Sequence, residues 1–173
     1  IDLVARLNLA AIGDRLIVKT WGAELPDWGK PLLISENQAG KLEPGNPVGL
    51  RSGWRISAEI LPQTPENPLE AVRKMAPDEA WLDADKLALP LKVRGREPGE
   101  RWQPLGLTEH TQSLQDFFIN EKVPAHLRDV WPLVCSRGEV AWIVGLRPSE
   151  AFKVEKGTQR VMHLRVEIGR AHV

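Results

Sequence analysis

The sequence of 173 residues contains one cysteine, no tyrosine, four histidines and three phenylalanines. Each shortage closes off a class of protein. Cys135 alone cannot form an internal disulfide, so a reducing, cytoplasmic setting is expected. No stretch reaches the roughly eighteen consecutive apolar residues of a membrane helix, and none has the layout of a signal peptide. Lys plus Arg and Asp plus Glu stand at 23 each, so bulk charge does not draw the chain toward polyanions. His110, His126, His163 and His172 are too scattered to ligate zinc together, and no metal is expected. The phosphate-loop, dinucleotide, zinc-protease, nucleophile-elbow and paired-cysteine motifs are all missing. Cys135 closes the apolar run "WPLVC", a place for a small buried hydrophobe rather than a nucleophile. Asp83 and Asp85, in "WLDADKL", read as caps or turn residues.

The charge that is present is unevenly spread. Residues 1–90 hold 10 basic and 13 acidic side chains, and residues 91–173 hold 13 basic and 10 acidic. Seven tryptophans supply most of the aromatic surface. Trp54, Trp81, Trp131 and Trp142 sit in apolar strands or turns and are expected in the core. Core packing is also favoured for Trp102, although its neighbour Arg101 offers a stacking alternative.

The first ninety residues read mainly as strands. "LVARLNL" and "RLIVKT" flank the turn signal Gly13-Asp14, which predicts a hairpin. "PLLIS", "NPVGLR" and "WRISAEIL" follow, and in the last Trp54, Ile56, Ala58 and Ile60 alternate with polar residues. Asn67, Pro68 and Glu70 are cap, first turn and N3 residue of a short helix. Beyond "PLKVR", Ser113 and Asp116 have capping spacing for a helix presenting Leu114, Phe117 and Phe118. "AHLRDV" predicts another short helix. "PLVC", "EVAWIVG" and "RVMHLRVEI" predict strands, the last alternating Val161, His163, Arg165 and Glu167 against Met162, Leu164, Val166 and Ile168. The expected fold is β-rich α+β, with mixed strands, two or three short helices and two small subdomains, 1–75 and 76–173.

The densest chemistry lies in "VRGREPGERWQPLG", residues 93–106. Arg94 and Arg96 are two apart, and Pro98-Gly99 makes a turn that returns Arg101 toward them. Guanidinium forks suit phosphate oxygens. The competing reading is that these arginines pair with Glu97 and Glu100 as internal salt bridges, in a structural or protein-interaction domain.

Taken in order, "AWLDADKL", "LKVRGREPGERWQPLG", "LQDFFINEKVPAHLRDVWPLV" and "EVAWIVGLRPSEAFKV" resemble the C-terminal region of bacterial tRNA(Ile)-lysidine synthetases, most densely over residues 80–155. The resemblance implies a parent enzyme that uses ATP and magnesium to adenylate the wobble cytidine of an isoleucine tRNA and attach lysine there. It places that chemistry in an N-terminal domain with a pyrophosphate loop. No such loop occurs in these 173 residues. With Ile1 in first position, this makes the chain expected to be a catalytically inactive piece of a longer protein. The implied partners are the acceptor stem and body of tRNA, the protein's own catalytic domain, and a second copy in a homodimer. Phosphate contact carries over to Arg94, Arg96, Arg101, Lys122, Arg128, Arg147 and Lys153, and turn geometry to Gly99. The sequence departs from the family pattern at "LTEHTQSLQ", where a lysine-rich stretch is common, and at Glu100, where aspartate is frequent.

Overall fold

The computed structural model describes residues 7–12, 15–20, 29–62 and 65–169. The predicted hairpin forms from β1 (Leu7–Ile12) and β2 (Arg15–Thr20), antiparallel with Ile12 opposite Arg15. Its Gly13-Asp14 turn lies outside the described residues.

The next strands are β3 (Ala39–Leu42), β4 (Val48–Gly49) and β5 (Trp54–Ile60). Helix α1 (Pro68–Arg73) starts where Asn67 accepts the Glu70 N–H at 3.3 Å, with proline in the first turn where a missing N–H costs nothing. After it come β6 (Glu79–Asp83), β7 (Leu91–Arg94), β8 (Arg101–Trp102) and β9 (Gln112–Ser113). Helix α2 (Leu114–Asn120) is capped by the Ser113 hydroxyl, which accepts the Asp116 N–H at 3.0 Å. β10 (Leu133–Ser136), β11 (Glu139–Ile143), β12 (Arg147–Pro148) and β13 (Val161–Ile168) complete the order. "AHLRDV" winds as a 3-10 helix over Ala125–Val130.

Two sheets dominate the fold. One runs β12-β11-β10-β7-β3 and the other β4-β5-β13-β6, while β8 and β9 form a small ribbon leading into α2. The observed architecture is strand-rich with few short helices, as expected. Both sheets take strands from either side of residue 75: β3 pairs with β7, and β5 with β13. The boundary expected there therefore does not separate two sheets among the described residues. A single apolar cluster includes Leu42, Val93, Val134 and Trp142 from the first sheet and Ile56, Leu82, Met162 and Leu164 from the second.

Strand alternation succeeds where a strand has neighbours on both sides. In β13 Met162, Leu164 and Val166 are buried, while His163, Arg165 and Glu167 are partly exposed. At its ends the pattern breaks: Val161, paired with Asp83 of β6, is fully buried, while Ile168 is 61% exposed, beyond the end of the β6 pairing at Arg165. "PLLIS" forms no strand. Its Leu32 and Leu33 are core residues, but their backbones bond to 3-10 turns rather than to a strand, Leu33 N–H to Val130 and the Leu32 carbonyl to Arg51.

Candidate nucleic-acid interface

The signature turn leaves β7 at Arg94. Arg94 is only 7% exposed, and its guanidinium donates to both oxygens of Glu100, at 2.6 and 3.1 Å, and to the carbonyls of Gly95 and Gly138. The Glu100 carboxylate also accepts the Glu97 N–H at 2.9 Å, closing the turn around Gly99 at φ +72°. The Glu100 hydrogen bond raises the Arg94 pKa further above its ordinary value, against the opposing effect of burial. With both terminal nitrogens fully used, Arg94 pins the turn and has no free donor fork for a phosphate. In this structure Arg94 forms the internal salt bridge of the competing reading, with Glu100, rather than presenting an open fork to solvent.

Arg96 is also held internally. It donates to Asp129 at 2.8 Å and to Gln115, and its guanidinium carbon lies 5.9 Å from the Phe118 ring centre. It thus joins the turn to α2 and to the 3-10 helix. The cleft beside it, about 650 Å³, is lined by Glu36, Glu97, Glu100 and Asp129, with Arg96 the one basic lining residue. Neither Arg94 nor Arg101 lines this cleft, so the three arginines of the turn do not converge at it. Arg101 points elsewhere and bonds the hydroxyl and carbonyl of Thr111 at 3.0 and 2.8 Å, on the exposed ribbon.

The cations that do come together surround the C-terminal end of α2. Lys122, exposed at φ +56°, comes just after Glu121, the residue that caps the end of the helix. Arg128 reaches back from the 3-10 helix to the Val123 carbonyl at 2.9 Å. Arg147 of β12 lies 3.9 Å from Glu121 and is 48% exposed. The helix dipole favours cations there, and none of the three is locked in a short ion pair among the described residues. What binds them together is the packing of α2, whose Leu114, Phe117 and Phe118 enter the core. Trp102 meets Phe117 edge-on at 4.9 Å and is 4% exposed, so it is a core residue with no stacking surface.

Lys153 stands apart, bonded to Glu150 at 2.5 Å. Glu150 also accepts the Gly106 N–H at 2.8 Å, and this bond and then Lys153 hold its carboxyl below the ordinary carboxylate value. Cys135 is buried, and desolvation pushes its thiol up to about 12, which leaves almost no thiolate at neutral pH. Asp83 caps the turn at Asp85 and accepts the Thr158 hydroxyl. No helix is long and apolar enough to cross a membrane among the described residues.

The TilS substrate C-terminal domain family matches residues 91–167. The chain carries a TilS C-terminal domain. Every cation discussed above lies within that domain. Its structure is similar to a solved TilS C-terminal domain, with a TM-score of 0.64 at 27% identity, covering 78% of this chain and 98% of the other. The tRNA(Ile)-lysidine synthase of Dehalococcoides mccartyi is 41% identical over 115 residues, 66% of this chain and 23% of that protein. That of Clostridium tetani is 42% identical over 87 residues, 50% of this chain and 18% of the protein. That of Symbiobacterium thermophilum is 33% identical over 123 residues, 71% and 24%. The chain thus spans less than a quarter of these relatives' length.

Proposed function

We propose that this chain is the non-catalytic, tRNA-binding C-terminal portion of a cytoplasmic tRNA(Ile)-lysidine synthase, the ATP-dependent ligase that attaches lysine to the wobble cytidine of isoleucine tRNA. The observation that carries the reading is the similarity over 98% of a solved TilS C-terminal domain. ATP, magnesium and the ligation belong in this reading to another part of the parent protein.

The chain's own contribution is to hold RNA by its phosphates. Folded RNA is recognised largely by shape, through phosphate and ribose contacts, and such contacts add salt dependence rather than sequence preference. Lys122, Arg128 and Arg147 are grouped for this, with Arg101 on the ribbon as an outlying contact. A neutral domain with one small cationic cluster binds weakly alone. Joined to a catalytic domain on the same tRNA, the weak contact becomes effective through local concentration. The signature arginines Arg94 and Arg96 serve this indirectly, by fixing the turn and α2.

The test is tRNA binding against salt concentration for the chain and its Lys122→Glu/Arg147→Glu variant. Loss of two phosphate contacts is expected to flatten the slope of log K against log salt by about 1.4–1.8. An unchanged slope and affinity would remove the α2 end from the interface.

A further inference from the structure

On the far side of β12 from the cationic cluster lies an apolar groove of about 350 Å³. That is at the small end of the range of about 300–1,000 Å³ for ligand clefts. Leu69 and Val72 of α1 line it together with Trp81, Leu105 and Pro148. Val72, Trp81, Leu105 and Pro148 also line an adjoining cavity of about 180 Å³ that reaches Trp142, so the apolar surface continues inward.

Three observations bear on the occupant. The charged lining consists of Arg73, Lys153 and Lys156 against Glu155 alone, and Arg73 and Lys156 have no ion-pair partner among the described residues. Trp81 lines the groove and is partly exposed, although its indole N–H, like that of Trp102, is itself buried. Arg147 and Pro148 are consecutive in β12, so the groove and the cluster at the end of α2 flank one strand.

We propose that this groove takes one unpaired nucleotide of the bound RNA, its base against Trp81 and Leu105 and its phosphates between Arg73 and Lys156. This rests on the tRNA-binding reading above and extends it to a single-stranded contact. A nucleotide offers what the groove lacks: a flat ring for its apolar lining and an anion for the rim. An apolar peptide side chain fills the cavity but leaves both cations unmatched. Aromatic platforms with cationic borders hold single strands in this manner, with little base preference.

The experiment measures binding of a single-stranded hexaribonucleotide carrying 4-thiouridine and of a blunt RNA duplex. It uses the full chain and two variants altered at exposed positions, Leu69→Glu and Lys156→Glu. Each variant is expected to weaken the single strand about 10-fold, the loss of one stacked or phosphate-anchored base, and to leave the duplex unaffected. Crosslinks are expected on Trp81 or Leu105. Unchanged single-strand affinity in both variants, crosslinks elsewhere, or displacement by an apolar peptide but not by RNA would overturn the groove. If the wild-type chain holds tRNA but no single strand, only the groove fails. If it holds neither, the tRNA-binding reading fails with it.

Discussion

Replacing Arg94 by alanine tests whether the signature turn is held from inside. The side chains of Arg94 and Glu100 are 8% and 11% exposed and form a two-pronged pair. Breaking a buried pair by removing one partner costs about 3–5 kcal/mol, because the remaining charge stays buried. Here Glu100 would keep the Glu97 N–H, and the Gly95 and Gly138 carbonyls would each lose a donor. At about 2–4 °C per kcal/mol for a protein of this size, the melting temperature should fall by about 6–20 °C. Arg94→Lys should recover little, since an ammonium cannot replace the guanidinium fork. Circular dichroism melts supply the first readout, and tRNA affinity at a temperature where both proteins are folded supplies the second. A melting temperature within about 2 °C of wild type, combined with lost tRNA binding, would refute the argument and return Arg94 to the phosphates.

The caps and the acid range offer independent checks. Ser113→Ala removes the acceptor at the start of α2 and is expected to cost about 1 kcal/mol, or about 2–4 °C in the same melts. No shift would mean that core packing of Phe117 and Phe118 alone sets the helix start. Glu150→Gln addresses pH. The Gly106 N–H and Lys153 hold the folded carboxyl below its ordinary value, so its stabilisation is present above the unfolded value and lost as pH falls through the folded one. The wild type should therefore outlast Glu150→Gln near pH 7, with the gap closing as pH drops below about 4. A gap constant down to pH 3 would show that the charge of Glu150 contributes nothing.

Some of the architecture is written in local pattern. Asn67 and Ser113 cap because their side-chain oxygens reach an N–H three residues on, whatever the rest of the chain does. The alternation in β5 and β13 sorts side chains to two faces because strand geometry repeats every second residue. The order of the motifs around residues 80–155 carries the family likeness. β3 and β12 were illegible because short strands gain their stability from the partners they meet, β7 and β11, and show little of it in their own residues.

The fate of the arginines belonged to the tertiary structure. In "VRGREPGER" a phosphate contact and a salt bridge look alike, since both require a cation near a turn. What separates them is burial, and burial depends on distant residues: Gly138 lies 44 positions from Arg94, and Asp129 lies 33 from Arg96. The cluster at the end of α2 and the groove beside β12 likewise assemble residues that no spacing relates. Sequence alone determined the local elements and the family resemblance, because those rest on short-range geometry and residue order. Only the fold decided which charges face solvent, because desolvation is set by everything packed around a group.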